Sequence, residues 1–160
     1  MAFPISIEWL LSNLEYIGGA GLLVALLYYS WPTSKEAVLL KRFELNPADW
    51  KILGHDLGRG AKPYHVRALG LVGTPDFVAQ HKRSKKIKAF DYKHRTYKGK
   101  ARDYEVYQVT LYCMALEQMH KGVNVEGAIR YKNKVVDVPL SSSTKRFLLS
   151  LREPFRQKFL

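Results

Sequence analysis

Asp76, Asp91 and Lys93 are the residues whose types and spacing could do chemistry in this sequence. The two aspartates are equidistant from the middle of a charged connection, His81-Lys82-Arg83-Ser84-Lys85-Lys86. If the segments on either side form an antiparallel hairpin, the aspartates fall opposite one another. Facing carboxylates repel, by up to about 1 kcal/mol even on a surface, and a cation between them removes the conflict. Hard divalent cations prefer carboxylate oxygens, so Mg²⁺ or Mn²⁺ suits the pair. Lys93 follows Asp91 by two residues and shares its strand face. An ammonium there could position a water or stabilise charge developing on a phosphate. The chemistry so described is metal-assisted hydrolysis of a phosphodiester. The same three residues on an exposed hairpin would form ordinary surface ion pairs.

The elements that must position these side chains can be read from periodicity and punctuation. Residues 35–43 have helical spacing, with Ser34 a candidate N-cap, and Pro47-Ala48-Asp49 could open a second helix running to about Asp56. Gly58 to Pro63 is a basic loop. Residues 64–72 and 74–80 are rich in strand formers, and residues 87–93 alternate as a half-buried strand does. Pro75 marks a bend or an edge before Asp76. Asp103 and Glu105 suit the first turn of a helix ending near His120, where Gly122 closes it. Residues 125–131 and 134–140 read as a strand pair about Lys132-Asn133. Ser141 to Ser143 cap a last amphipathic helix with Phe147, Leu148, Leu151, Phe155 and Phe159 on its apolar side.

Composition limits the partners. Lys and Arg number 26 against 14 Asp and Glu in 160 residues, a formal charge of +12. No Lys or Arg precedes Lys35, while Glu8 and Glu15 do, so the excess is concentrated after residue 34. Such a surface favours a polyanion, nucleic acid first and an anionic membrane second. The single cysteine, Cys113, excludes an internal disulfide and a four-cysteine metal or iron–sulfur site, and its apolar setting suits a small core residue.

Together the motifs resemble those of the PD-(D/E)xK nuclease superfamily. Pro75-Asp76 stands for the PD element and Asp91-Tyr92-Lys93 for (D/E)xK. Gly73-Thr74-Pro75-Asp76 fits the G-x-x-D form of the RecB-like branch, which includes the CRISPR-associated exonucleases, and Gln108-Val109-Thr110-Leu111-Tyr112 supplies its Q-x-x-x-Y signature. The likeness covers about residues 45–140. It implies an α/β (α+β) fold with a restriction-endonuclease-like core, a central mixed sheet flanked by helices. It also implies that Asp76, Asp91 and the Tyr92 carbonyl bind Mg²⁺ or Mn²⁺, that Lys93 orients the attacking water, and that Gln108 and Tyr112 touch the DNA backbone or support the lysine. By the same likeness a histidine ligand comes from a helix before the first strand, His55 in first place and His65 in second. The iron–sulfur cluster of the CRISPR-associated relatives is excluded by the cysteine count.

Basic loops are expected on both sides of the site. Lys82, Arg83, Lys85 and Lys86 precede the active strand; Arg95, Lys98, Lys100 and Arg102 follow it, with Tyr97 and Tyr104 available to stack on unpaired bases. Each of these runs also fits an ordinary solvated loop. Tyr104 lies one turn before Gln108 on the same helix face.

Residues 16–31 contain no charged side chain. As a helix they would span about 24 Å, short of a hydrocarbon core of about 30 Å. Tyr28, Tyr29 and Trp31 suit an interface and the glycines suit close helix packing. Two domains are therefore expected: 1–33, a hydrophobic helix that anchors to a membrane or packs against protein, and 34–160, the nuclease domain. The positive-inside rule would put the latter in the cytoplasm. The expected function is a metal-dependent, exonuclease-like deoxyribonuclease on single- or double-stranded DNA, tethered to a membrane. The competing readings are a non-catalytic tethered DNA-binding module, a nuclease subunit that needs a protein partner or a second copy, and, more weakly, an RNA substrate.

Overall fold

The computed structural model describes residues 34–151, together with Gly19, Gly21 and Leu22. Helix α1 (Ser34–Arg42) leads to strands β1 (Trp50–His55), β2 (Val66–Ala68), β3 (Leu71–Gly73), β4 (Phe77–His81) and β5 (Ile87–Lys93). Helix α2 (Asp103–Met119), strands β6 (Val125–Tyr131) and β7 (Val135–Val138) and helix α3 (Ser142–Ser150) follow. Five strands form one sheet in the order β1-β4-β5-β6-β7, and β2 and β3 form a separate hairpin. Pairing is antiparallel except for β5 with β6, which are parallel and joined through α2. This is the mixed central sheet with flanking helices expected of a restriction-endonuclease-like core.

Alternation along the strands divides the core in two. Val78, Ile87, Ala89 and Ile129 face α2 and pack with Val109, Cys113 and Leu116. Phe77, Ala79, Phe90 and Ala128 face α1 and pack with Leu40 and Phe43. Phe43 stacks on Phe77 with ring centroids 4.2 Å apart and meets Phe90 edge-on at 5.0 Å. Asp91 and Lys93 continue the Ile87–Ala89 row, so the sheet's pleat aims them toward α2. Close approach of α2 requires Gly127. A Cβ there would lie 2.5 Å from Val109 Cγ1 and 2.9 Å from Cys113 Sγ. Cys113 is a buried core residue, its thiol pushed up to about 12 by burial.

Several local expectations are corrected. Residues 47–56 are not a helix. Asn46 Oδ1 accepts the Ala48 N–H at 3.1 Å and Asn46 O accepts the Trp50 N–H, which closes one turn about Pro47. The chain then becomes edge strand β1, with a bulge between Ile52 and Gly54. The Pro-x-Asp start signal is overridden by pairing with β4 and by Gly54, a poor helix residue whose Cβ would lie 2.7 Å from Lys62 O. Residues 64–72 are not one strand. Leu69 (φ 56°) and Gly70 (φ 71°) make a two-residue turn that folds β3 back on β2, and leucine in the first of these positions is outside the Asn-Gly signature of such turns. Phe147 is exposed and only Leu148 of α3 is buried, while Phe155 and Phe159 lie outside the described residues. The 16–31 segment also lies outside them, apart from Gly19, Gly21 and Leu22. Among the described residues no helix is long and apolar enough to cross a membrane.

The packing at Gly127 has a measurable consequence. Gly127→Ala is expected to cost about 1–3 kcal/mol of unfolding free energy by overpacking. Adding Val109→Ala, which removes the nearest atom, should recover part of the loss in urea titrations. Additive effects of the two substitutions would contradict the contact.

Candidate active site

Asp76 stands one residue before β4, and the Phe77–Phe90 register continued by one step sets it opposite Asp91. The Asp76 carboxylate accepts the backbone N–H of Tyr92 through Oδ2 at 2.6 Å, so a side chain fastens the strand end where the ladder stops. The Asp76 carbonyl accepts the Asp56 N–H at 2.9 Å. Asp91 is only 3% exposed. Its buried Oδ2 lies 2.6 Å from Lys93 Nζ, in an ion pair. Burial pushes the Asp91 carboxyl up, Lys93 pulls it down, and Asp76 and Glu105 add to the rise; the result is above the ordinary carboxylate range.

Lys93 is held from the other side by α2. Its Nζ lies 3.3 Å from Gln108 Oε1, and Gln108 Nε2 donates to the Tyr112 hydroxyl at 3.0 Å. Spacing of four residues puts the glutamine and tyrosine one above the other on the helix. Burial lowers the Lys93 ammonium's affinity for its proton, but Asp91, Glu105 and Asp76 outweigh it and raise that affinity, so the side chain is cationic at neutral pH. The glycine of the G-x-x-D element has a packing reason: a Cβ on Gly73 would lie 2.8 Å from the Tyr112 ring. His65 is exposed, just outside β2 rather than within a strand, and is hydrogen-bonded to Thr74 Oγ1 at 3.2 Å, steadying the same loop.

Behind Lys93 lies a network that spacing did not reveal. Glu105 is fully buried and takes a two-pronged ion pair from Arg95, at 3.2 and 2.6 Å. It also accepts the Tyr131 hydroxyl at 2.8 Å and the Arg102 N–H at 3.0 Å. Burial alone would raise the Glu105 carboxyl, but Arg95, Arg102 and Tyr131 outweigh it and hold the group below its usual range. The only sequence signal was Glu105 in a first helical turn; Tyr131 gave none.

The other candidate residues divide by position. Lys98, Lys100, Arg102 and Tyr104 are exposed in the loop and helix start beyond Lys93, at the site's end of the sheet. Arg95 is committed to Glu105. Tyr97 is half-buried, packing on Tyr131 with ring centroids 5.2 Å apart and donating to Gly99 O. Lys82, Arg83, Lys85 and Lys86 do not flank the carboxylates as expected. They occupy the turn at the opposite end of the hairpin, roughly 17 Å away at about 3.4 Å per residue. There Lys82 caps Pro47 O and Ala48 O, Lys85 bonds Lys82 O, and Lys86 pairs with Glu126. A hairpin's turn and its open end are necessarily remote, which proximity in sequence conceals.

His55 lies in a strand rather than in the expected helix. It ends β1 opposite Phe77, and directly opposed residues share a face, so it lies on the α1 side of the sheet while Asp91 and Lys93 lie on the α2 side. Its Nδ1 accepts the Leu57 N–H at 3.4 Å. Among the described residues no group of three or more His, Cys, Asp and Glu side chains is gathered as a metal cage. What fits a hard divalent cation is the opposed Asp76–Asp91 pair, whose buried Asp91 Oδ2 has no hydrogen-bond partner beyond the Lys93 ion pair.

Two opposed carboxylates and a helix-supported lysine thus stand together at one end of the mixed sheet of an α+β fold. A family model for the PD-(D/E)XK nuclease superfamily matches residues 20–152, and the chain belongs to that superfamily. No curated protein matches the sequence significantly.

Two tests follow from this geometry. Gly73→Ala should displace the Tyr112 ring and lower cleavage about tenfold or more, as small misplacements of catalytic groups do, with little change in the melting curve; unchanged kcat would contradict the coupling. Glu105 gains stability from ionisation because its folded pKa is depressed, so its contribution is complete above the unfolded carboxylate range and is lost as pH falls through its folded value. Wild type should therefore melt above Glu105→Gln at neutral pH, and the gap should begin to narrow as pH falls below the ordinary glutamate value of about 4.3. A gap independent of pH would contradict the charged network.

Proposed function

We propose that this nuclease is a divalent-metal-dependent deoxyribonuclease with exonuclease-like action. The observation that carries the reading is the Asp76–Asp91 pair with Lys93 on the Asp91 face, fixed by the Gln108–Tyr112 relay. Asp76, Asp91 and the Tyr92 carbonyl would hold Mg²⁺ or Mn²⁺, which when bound supplies a Lewis acid for a phosphate oxygen. Asp76 contributes further by pinning Tyr92 through its N–H. Lys93, kept protonated by its anionic neighbours, offers N–H donors to the attacking water or to charge gathering on the phosphoryl oxygens. Gln108 restricts where those donors point. The exposed cations beyond β5, Lys98, Lys100 and Arg102, would contact phosphates. Hydrolysis in this arrangement leaves a 5′-phosphate, as the superfamily resemblance implies.

The strongly basic region after residue 34 supports a nucleic-acid substrate, and the uncharged 16–31 segment supports a membrane tether with the nuclease domain on the cytoplasmic side. Detergent-solubilised full chain should cleave DNA in Mg²⁺ or Mn²⁺ and not in EDTA. Linear single and double strands should be degraded while circles survive. Lys93→Ala and Asp91→Asn should each lose at least about 10²-fold in rate while keeping affinity for DNA in EDTA; full activity in both would sink the assignment. Tight binding without cleavage would favour the non-catalytic module. For the tether, Leu23→Arg with Leu26→Arg should move the chain from the membrane fraction to the soluble one, and an unchanged distribution would remove it.

A further inference from the structure

One opening is on the sheet face away from Lys93. A cavity of about 640 Å³ lies between α1, the end of β1 and the 57–62 loop. Lys35 and Arg42 of α1 and Arg59 and Lys62 of the loop line it, against one carboxylate, Glu36. All four cations are exposed, and among the described residues none takes part in an ion pair. The floor is apolar, with Leu39, Ile52 and Leu57. Paired backbone bonds between His55 and Lys62, at 2.8 and 2.9 Å, hold the loop in place.

This groove is joined to the carboxylate pair at two points. The residue after His55, Asp56, bonds the Asp76 carbonyl at 2.9 Å. The Arg42 guanidinium lies 4.6 Å over the ring of Tyr92, the residue between Asp91 and Lys93.

We propose that the groove is the track for a single strand of DNA leading to the scissile phosphate, an inference that rests on the deoxyribonuclease reading. A rim of cations neutralises phosphates. An apolar floor receives the faces of unstacked bases, which a duplex keeps inside its own stack. The groove thus favours a strand end or a frayed terminus over an intact helix. His55, on the groove side of the sheet, contacts the strand there. The expected DNA surface moves accordingly: Lys82 and Arg83, at the remote turn, contribute little.

Fluorescence anisotropy of a labelled single-stranded DNA oligonucleotide with the full chain in EDTA, across a salt series, tests the track apart from cleavage. Arg59→Ala with Lys62→Ala should weaken binding about tenfold and reduce the log–log salt slope by about 1.4, from two lost phosphate contacts at roughly 0.7 each. Lys82→Ala with Arg83→Ala should leave both quantities within about twofold. Melting curves matching wild type are the control that these exposed substitutions leave the fold alone. If the groove variant binds as wild type does, or the turn variant takes the loss instead, the track is wrong. Should wild type still cleave DNA in that case, the nuclease reading survives. Duplex DNA and single-stranded RNA are the comparison arms. Preference for either over single-stranded DNA would overturn the track, and RNA cleavage without DNA cleavage would overturn the substrate reading as well.

Discussion

The burial of the Asp91 carboxylate is the constraint around which the rest of the site is arranged. An ionised group that is 3% exposed is costly to desolvate, and Asp76 and Glu105 make it costlier. Lys93 answers part of that cost through its 2.6 Å ion pair with the buried Asp91 Oδ2. Under the proposed metal binding, a cation at the Asp76–Asp91 pair would relieve the unfavourable electrostatics of this burial. The apolar packing of the two core clusters supplies stability that offsets this local cost.

That arrangement also explains why helix α2 matters beyond its role as a crossover. It covers the Ile87–Ala89–Asp91–Lys93 row, supplies Gln108 to Lys93, and buries Glu105 at its first turn. Glu105 ties Arg95 after β5 to Tyr131 at the end of β6, so the two parallel strands and the helix between them share one polar anchor. A buried charge with all its neighbours satisfied fixes geometry more strictly than apolar contact does. Gly73 and Gly127 act in the complementary way, by having no side chain where Tyr112 and Val109 must come close.

The opposite face of the sheet has a different character. Phe43, Phe77 and Phe90 make its core, and the rim toward the site end is basic. Chemistry on one face and a cationic groove reaching the same strand ends from the other fit a substrate whose charged backbone must pass the edge of the sheet.

Local sequence determined a good deal. The equal distances of Asp76 and Asp91 from the turn foretold their register, because antiparallel pairing is symmetric about a hairpin. The i, i+4 interval aligned Gln108 with Tyr112, and period-two alternation placed Lys93 with Asp91. The PD, (D/E)xK and Q-x-x-x-Y elements were legible for the same reason: each is set within a single strand, loop or helix. Only the tertiary structure decided which segments meet. Pairing with β4 turned residues 50–55 from an expected helix into an edge strand and sent His55 to the face away from Asp91. The parallel packing of β5 on β6 brought Tyr131 to Glu105, 26 residues apart. The length of the β4–β5 hairpin carried Lys82 and Arg83 away from the site, while α1 and the 57–62 loop brought Lys35, Arg42, Arg59 and Lys62 together. Backbone periodicity acts over a few residues and is written in the sequence directly, whereas contacts between distant segments depend on how whole faces bury against one another.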